Sequence, residues 1–331
     1  MADTQFDVLT IGNAIVDVLS STEDGFLQSN GLIKGSMRLI DDVEAHRLYD
    51  IIGPAIVVSG GSAANTAAGI ASLGGKAAFI GKVRNDQLGT FFTHDIRAAG
   101  VSFDVAPSFD GPATARSFIL VTPDGERTMN TYLGACVTLS PSDIDETVVA
   151  SSEITYLEGY LWDPPEAKDA FVKAARVARG AGRKVALTLS DSFCVDRHRD
   201  SFRDLISRDV DILFANEKEI ISLYETTSFD DALQLARAAA ELVVLTRSGA
   251  GSVIVRGGEF HVVEARKVER VVDATGAGDL FAAGFLYGLT HGKPLVEAAR
   301  LGSLAAAEII SHIGARPQTS LRGEAGAAGL L

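Results

Sequence analysis

The run Asp273-Ala274-Thr275-Gly276-Ala277-Gly278-Asp279 places two glycines and a carboxylate where an apolar helical pattern begins. Open backbone N–H groups at a helix N-terminus, together with the helix dipole, favour a bound anion. Asp279 falls in the first turn beside that anion, although like charges repel. The arrangement is explained if Asp279 takes a proton from an attacking hydroxyl group while the amides stabilise a transferred phosphoryl group. The alternative is a capped helix whose glycines allow close packing.

Three further groups of polar residues accompany this loop: Asp17 with Asn13, Gly60-Gly61 with Asn65, and the segment 216–219. Each has a plain structural alternative, namely a turn cap, a loop and a reciprocal helix cap. All of them follow predicted strands, and an open α/β sheet binds ligands at the carboxyl ends of its strands. Together they can hold a polyhydroxylated substrate and, through water, Mg²⁺.

Strands that alternate with helices predict a three-layer α/β/α domain with a mainly parallel sheet. Strands are predicted at 6–12, 77–81, 153–158, 184–189, 210–214 and 242–246, and a hairpin at 251–264. Helices are predicted at 165–180, 197–207, 217–224, 229–240, 277–291 and 295–312. Residues 15–40 and 113–133 alternate in polarity and do not fit this sheet, so we expect them to form a small β-sheet lid. We expect one domain over 1–331, with 323–331 as a flexible tail.

Composition limits the partners of this chain. Its 331 residues carry a formal net charge of −13, which disfavours nucleic acids and anionic membranes but not a nucleotide ligand. Two distant cysteines and six scattered histidines indicate neither a disulfide nor a metal site. Residues 53–75 are uncharged but interrupted by Pro54 and Gly60-Gly61, which favours a glycine loop and a buried helix over a membrane span. A signal-like N-terminus is absent, so we expect a cytoplasmic protein.

The common nucleotide-binding motifs are missing from the sequence. It contains no G-x-x-x-x-G-K-[ST] loop, and its first strand ends in Gly12-Asn13-Ala14 without a G-x-G-x-x-G fingerprint. A dinucleotide-dependent oxidoreductase therefore has little support.

Taken together, these segments resemble the ribokinase-like (carbohydrate kinase) family over nearly the whole chain. Residues 60–67 resemble its N-terminal signature, residues 273–279 its C-terminal signature, and residues 216–219 its N-x-x-E motif. Within the family, residues 12–17, 189–193 and 210–216 are most similar to adenosine kinases. The resemblance implies transfer of the ATP γ-phosphate to the 5′-hydroxyl group of adenosine, and a Mg²⁺ cofactor.

The resemblance also implies roles for individual residues. Asp279 would be the base, Gly276, Ala277 and Gly278 the anion hole, and Arg127 a neighbour of the transferred phosphate. The substrate would be held by Asn13, Asp17, Gly60, Gly61, Asn65, Met37, Tyr160 and Phe193. ATP would contact Asn216, Thr246 and Gly249. Mg²⁺ would be organised by Glu219 and Asn216, and Asp273 and Thr275 would belong to a K⁺-binding loop.

Alternatives to adenosine remain at this level. Tyr160 and Phe193 can flank a purine or can be ordinary core aromatics. Another nucleoside, or a free sugar such as ribose or fructose, is therefore a rival substrate. A binding protein that has lost catalysis is a further alternative, although Asp279 and Glu219 are both present. We expect a monomer, with a dimer through the lid as the alternative.

Overall fold

A computed structural model describes residues 4–331. Its strands are β1 (Phe6–Ile11), β2 (Ile15–Ser21), β3 (Met37–Leu39), β4 (Ala55–Gly60), β5 (Ala77–Ile80), β6 (Ala115–Val121), β7 (Arg127–Tyr132), β8 (Ser152–Glu158), β9 (Lys184–Thr188), β10 (Ile212–Asn216), β11 (Leu242–Thr246), β12 (Ser252–Arg256) and β13 (Glu259–Val263). Its helices are α1 (Asp24–Ser29), α2 (Asp42–Ile51), α3 (Ser62–Leu73), α4 (Gln87–Ala98), α5 (Glu146–Ala150), α6 (Pro165–Gly180), α7 (Ser192–Asp209), α8 (Glu217–Tyr224), α9 (Phe229–Ala239), α10 (Ala277–Thr290), α11 (Leu295–Ile309) and α12 (Leu321–Ala327).

The main sheet has eight strands in the order β13-β12-β11-β10-β9-β8-β1-β5. The strands from β11 to β5 are parallel, and β12 and β13 complete one edge as an antiparallel hairpin. The first four residues of β11, LVVL, are all apolar and buried because helices cover both faces of a parallel sheet. The predicted three-layer α/β/α class is confirmed, and the carboxyl ends of β1, β8, β9, β10 and β11 meet at one edge.

The second sheet, called the lid from here on, has the order β3-β7-β6-β2-β4. The segments 15–40 and 113–133 supply β2, β3, β6 and β7, as predicted. The structure adds β4 to the lid, where it pairs antiparallel with β2. It also places α1 within the first segment, which we had expected to contain only short strands and turns. The lid has its own small core around Leu27, Leu48 and Phe118.

Helices α3 and α10 pack against each other and place their N-termini side by side under the lid. Both are rich in small and apolar residues, and nine residues of each are buried. The side-chain hydroxyl of Thr66 in α3 donates to the backbone carbonyl of Asp279 in α10 (3.2 Å). This contact fixes the first turn of α10 against α3, and with it the loop that precedes α10.

Two expectations about helices differ from the structure. Helix α7 begins at Ser192, five residues before the predicted start, and has a kink at His198. Residues 323–331 were expected to form a flexible tail, but α12 occupies most of that segment. Leu321 and Ala325 of α12 are buried, and the Leu321 N–H donates to the Ser72 hydroxyl (3.1 Å). The apolar face of α12 explains the difference, because it covers α3.

Candidate active site

The loop before α10 has the geometry that the sequence predicts for an anion site. Gly276 is the N-cap of α10 and adopts a left-handed conformation (φ +78°), which favours glycine. A Cβ atom on Gly276 would lie 3.0 Å from the Ala315 side chain, so the loop is tightly supported from behind. Within residues 4–331, no protein acceptor pairs with the N–H groups of Gly276 and Gly278, whereas the Ala277 N–H contacts the Ala274 carbonyl at 3.3 Å. Two amides are therefore available to an anion.

Asp279 lies in the first turn of α10, and α3 holds its carboxylate. The Ser62 hydroxyl donates to Oδ1 (2.6 Å) and the Asn65 side-chain amide donates to Oδ2 (3.0 Å). Burial raises the pKa of Asp279 above its ordinary value, although both hydrogen bonds act in the opposite direction. Asn65 and Asp279 are thus direct neighbours, as expected for a substrate-binding group beside a base.

Asp17 projects from the lid strand β2 towards the same site. None of the residues 4–331 donates a hydrogen bond to its carboxylate. Burial raises its pKa to about 7, while Arg316 and Arg127 partly oppose the rise. The carboxylate of Asp17 is therefore available to accept hydrogen bonds from substrate hydroxyl groups.

Gly60 and Gly61 bring the lid and the main sheet into close approach. Gly61 has φ +93°, and a Cβ atom there would lie 2.2 Å from the Asn13 carbonyl oxygen. A Cβ on Gly60 would lie 2.3 Å from an Asp17 oxygen, so Gly60 sits directly behind that carboxylate. Gly61 lines the cavity described below, but Gly60 does not. Gly60 makes room for the Asp17 carboxylate, and its contact with substrate stays a prediction.

Glu158 was not predicted from the sequence. Its carboxylate connects Asn13, which follows β1, to Ala63 at the start of α3. It ends β8 and is only 1% exposed. Its Oε1 accepts from the Asn13 side-chain amide (2.6 Å) and backbone N–H (3.3 Å), and its Oε2 accepts from the Ala63 N–H (2.7 Å). Burial raises its pKa to about 7. An acidic residue at the carboxyl end of a predicted main-sheet strand, where ligands bind, was the signal that could have found it.

Arg127 reaches from the lid to the loop 273–279 but pairs with a carboxylate there. Its guanidinium forms an ion pair with Asp273 and donates to the Thr275 hydroxyl (3.1 Å). Asp273 also accepts from the N–H groups of Thr275 (2.9 Å) and Gly314 (3.0 Å). All of these donors bind the Asp273 carboxylate. The contacts therefore do not support the expected role of Asp273 in a K⁺ site. K⁺ dependence stays a prediction.

Arg316 was also missed and lies behind Asp17. Its three guanidinium nitrogens are buried without a hydrogen-bond partner, and the nearest carboxylate oxygen, on Asp95, is 3.7 Å away. Burial lowers its pKa to about 10. The positive charge of Arg316 therefore favours the ionised form of the Asp17 carboxylate.

Asn216 and Glu219 form the reciprocal helix cap that was the structural alternative for this motif. The Asn216 side chain accepts from the Glu219 N–H (2.9 Å), and the Glu219 carboxylate accepts from the Asn216 N–H (2.8 Å) and side-chain amide. Burial raises the Glu219 pKa to about 7. Among residues 4–331 there is no cluster of three or more metal-ligating side chains. A Mg²⁺ that takes most of its ligands from phosphates and water is compatible with this arrangement, and a role of Glu219 at that ion stays a prediction.

One cavity of about 1410 Å³ lies between the lid and the carboxyl ends of the main-sheet strands. Every predicted site residue except Gly60 lines it: Asn13, Asp17, Met37, Gly61, Asn65, Arg127, Tyr160, Phe193, Asn216, Glu219, Thr246, Gly249, Asp273, Thr275, Gly276, Ala277, Gly278 and Asp279. Thr246 lies beside Asn216 in the strand register. The cavity exceeds the usual range for one small ligand, so it has room for two substrates side by side.

Phe193 and Tyr160, the two aromatic residues predicted to flank a base, do not belong to the buried core, unlike Tyr156, Phe214 and Phe281, which also line the cavity. Phe193 is 70% exposed, Met37 is 39% exposed, and Tyr160 is partly exposed. The Tyr160 backbone N–H donates to the Ser190 hydroxyl (3.1 Å), which ties its turn to the segment that precedes Phe193. An exposed aromatic pair inside a cavity is available to a flat ligand.

Two features outside the site bear on the remaining expectations. Cys136 and Cys194 are both buried and unpaired, as expected. Each helix in the described part of the chain is too short or too polar to cross a bilayer.

Comparisons with known proteins agree on the family and differ on the substrate. The sequence model of the pfkB family carbohydrate kinases matches residues 36–321. The crystal structure of an adenosine kinase from Sinorhizobium meliloti is similar, with 57% identity and a TM-score of 0.93, and covers 98% of this chain and 99% of its own. A probable sugar kinase from Rhizobium etli CFN 42 has 55% identity and a TM-score of 0.94, covering 99% of this chain and 100% of its own. A 5-dehydro-2-deoxygluconokinase from Halalkalibacterium halodurans is 27% identical over 320 residues, covering 93% of this chain and 90% of its own.

Proposed function

Because this chain belongs to the pfkB family of carbohydrate kinases, we propose that it transfers the γ-phosphoryl group of ATP to the 5′-hydroxyl group of adenosine, giving AMP and ADP. Membership makes it a phosphotransferase with an alcohol acceptor, of the kind that acts on a sugar or a nucleoside. It implies ATP as the donor and usually Mg²⁺.

The observation that carries the choice of a nucleoside is the aromatic pair. Phe193 and Tyr160 line the same cavity as Asp279, and Phe193 leaves 70% of its surface open there. A purine stacked on aromatic rings would cover that surface, whereas a small sugar offers no flat face of that size. The 57% identical adenosine kinase from Sinorhizobium meliloti adds support.

The substrate half of the cavity carries the carboxylates of Asp17, Glu158 and Asp279. They would repel the carboxylate of a sugar acid, which favours a neutral substrate. Arg316, whose guanidinium is buried behind Asp17 without a hydrogen-bond partner, is a cation available to a sugar acid. The acceptor panel below therefore includes 5-dehydro-2-deoxygluconate.

Each residue has a defined task in this mechanism. Asp17 and Asn65 hold the ribose hydroxyl groups, and Asn65 also orients Asp279. Asp279 accepts the proton of the 5′-hydroxyl group as its oxygen attacks the γ-phosphorus, and the bond to the ADP oxygen breaks. The N–H groups of Gly276 and Gly278 stabilise the charge on the transferred phosphoryl group. When bound, Mg²⁺ would neutralise charge on the phosphates.

The testing experiment is ATP consumption by the purified protein with Mg²⁺, with and without K⁺. The acceptors are adenosine, inosine, guanosine, cytidine, ribose, fructose and 5-dehydro-2-deoxygluconate. We expect the highest kcat/KM for adenosine, with AMP as product, and a kcat lower by a factor of about 10²–10⁴ for Asp279→Asn. Faster turnover of a sugar or the sugar acid would overturn the adenosine proposal but leave the family assignment in place.

A binding protein without catalysis is the remaining alternative. It predicts that ATP and adenosine bind, as measured by calorimetry, but that no acceptor in the panel is phosphorylated. Asp279, Asn65 and the open amides of the loop count against it, because binding alone does not need a carboxylate next to an anion site.

A further inference from the structure

Two short segments carry the aromatic pair of the cavity, and each carries a charged residue one turn further on. Asp163 follows Tyr160 by three residues at the end of the 3₁₀-helix Gly159–Trp162, where i and i+3 side chains eclipse. Arg197 follows Phe193 by four residues in α7, where i and i+4 share a face. All four residues line the cavity. The charged residues are therefore placed at the edge of any ring that stacks on the aromatics.

Direct contacts lock the two segments together. The Cys194 thiol donates to the Gly159 carbonyl (3.1 Å) and the Tyr160 N–H donates to the Ser190 hydroxyl (3.1 Å). Arg197 Nε and Nη2 donate to Asp163 Oδ1 (3.2 Å) and Oδ2 (3.0 Å). The ion pair consequently has a fixed position relative to the aromatic rings.

The ion pair keeps unused hydrogen-bonding capacity on both partners. Asp163 Oδ1 accepts from Arg197 and from His198, whereas Oδ2 accepts from Arg197 alone. Of the five N–H donors of Arg197, no partner for the Nη1 pair exists within residues 4–331. The Arg197 side chain is 45% exposed and that of Asp163 is 26% exposed. A free acceptor therefore lies next to free donors at the edge of the base site.

We propose that the Arg197–Asp163 pair selects a 6-aminopurine by pairing with the base edge that bears the exocyclic amino group. This inference rests on the proposed nucleoside kinase function and adds the residues that read the base. On the N6/N7 edge adenine offers a donor beside an acceptor, whereas a 6-oxopurine offers two acceptors. On the N1/N6 edge adenine offers an acceptor at N1 and a donor at N6, whereas a 6-oxopurine offers a donor at N1 and an acceptor at O6. In either case the 6-oxo base leaves a polar group of the pair without its partner.

The test compares Arg197→Gln and Asp163→Asn with the wild type on adenosine and inosine. Arg208→Gln is the matched control, because Arg208 also lies on α7 and pairs with an aspartate, Asp204, on the surface (3.6 Å). We expect each cavity variant to lower kcat/KM for adenosine about 10- to 100-fold through KM, in line with losing one hydrogen-bonded pair. Turnover of inosine should change less than that of adenosine, so the adenosine-to-inosine ratio falls, and the KM for ATP should stay near its wild-type value. Arg208→Gln should leave the ratio as in the wild type.

Base analogues distinguish the edges without any substitution. Purine riboside lacks the amino group, 7-deazaadenosine lacks N7 and 1-deazaadenosine lacks N1. We expect purine riboside and one of the two deaza analogues to lose about as much kcat/KM as Arg197→Gln causes with adenosine. In Arg197→Gln that deaza analogue and adenosine should then react about equally well, and in Asp163→Asn purine riboside and adenosine should do so.

The outcomes separate this inference from the proposed function. If adenosine is phosphorylated well but Arg197→Gln keeps the wild-type adenosine-to-inosine ratio, the base-reading pair is wrong and the kinase assignment stands. If the wild type phosphorylates no nucleoside, the proposed function fails and the inference fails with it. A fall in stability alone, with an unchanged ratio, also contradicts the inference.

Discussion

Asp279 illustrates how single residues in this protein carry both a chemical and a structural task. Its carboxylate oxygens accept hydrogen bonds from Ser62 and Asn65, so its orientation is set before any substrate binds. Burial raises its pKa, which makes the carboxylate a stronger base than an exposed aspartate.

Asp279→Asn should therefore abolish the chemistry while preserving binding. We expect kcat to fall by a factor of about 10²–10⁴, the usual contribution of a general base, with KM for the acceptor changed little. Steady-state kinetics test this, and circular dichroism checks that the variant folds. A variant with near wild-type kcat would remove Asp279 from the mechanism.

The pH dependence should show opposite trends for activity and stability. Burial raises the pKa of Asp17 and of Glu158 to about 7, and both must be ionised to accept hydrogen bonds in the site. We expect kcat/KM to rise with pH and to level off above about 7. The folded state binds more protons than the unfolded state between about pH 4 and 7, so these two groups lower the unfolding free energy as pH rises.

The comparison of Asp17→Asn with the wild type measures that contribution. The variant should gain stability relative to the wild type as pH rises from 4 to 7, with urea unfolding as the measurement, while its kcat/KM stays low throughout. A stability difference that does not depend on pH would show that Asp17 titrates normally in the folded protein.

Sequence reasoning found the residues that stand in glycine-rich or polar motifs, such as Asp279 and Asn65. It missed Glu158 and Arg316, which stand in stretches without such a motif. Glu158 is the last residue of β8 and Arg316 lies in an irregular loop, so only the folded chain brings them to Asn13 and Asp17. Their proximity depends on pairings across more than a hundred residues, which local patterns do not encode.

At the scale of elements, the turn between β4 and α3 connects the lid to the main sheet. Gly61 occupies this turn with φ +93°, and its backbone touches the Asn13 carbonyl so closely that a side chain has no space. The turn thereby sets the distance between Asp17 on the lid and Asn65 on α3.

Gly61→Ala should consequently disturb both stability and substrate binding. Gly111→Ala is the matched control, because Gly111 also has a positive φ (+80°) but open space around its Cβ position. We expect Gly111→Ala to cost about 1 kcal/mol from backbone strain alone and Gly61→Ala about 2–4 kcal/mol, with KM for the acceptor raised at least tenfold. Urea unfolding and kinetics test this. Equal effects of the two substitutions would contradict the close approach.

The regular part of the fold was predictable because strands and helices of the main sheet have clear periodicity. Helices α6 and α8 begin and end where the pattern predicts. The place of strand β4 in the lid was harder to predict. Its apolar run AIVV resembles a core strand, although Ile56 is 70% exposed at the lid edge. Helix α12 was missed because its glycines and alanines suggest a tail, whereas tertiary packing of Leu321 stabilises it.

At the scale of the whole molecule, the lid and the main domain are held together across the cavity. The Arg127–Asp273 ion pair joins β7 to the loop before α10, and the Ser59 hydroxyl in β4 donates to Asp95 in α4. Arg127 and Asp273 both line the cavity, so the position of the lid controls access to it. Phosphoryl transfer must exclude water, which favours a lid that closes on the substrate.

Arg127→Gln should release the lid in the free protein. We expect a loss of about 1–3 kcal/mol in unfolding free energy, since Asp273 keeps its backbone donors, and a larger radius of gyration that adenosine and ATP partly restore. Lys34→Gln is the control, because Lys34 pairs with Asp24 and Asp124 within the lid only. X-ray scattering with and without ligands is the measurement. Equal compactness of both variants in every state would argue against a lid held by Arg127.

The order of the site residues along the chain has a consequence for synthesis on the ribosome. The strands of both sheets are complete by Val263, whereas the loop 273–279 and its supports Gly314 and Ala315 come later. A nascent chain therefore contains all strands of both sheets before the residues of the anion site have been synthesised. Premature termination after residue 264 would therefore yield a chain that has all strands of both sheets but lacks the loop 273–279, and such a chain should be catalytically inactive.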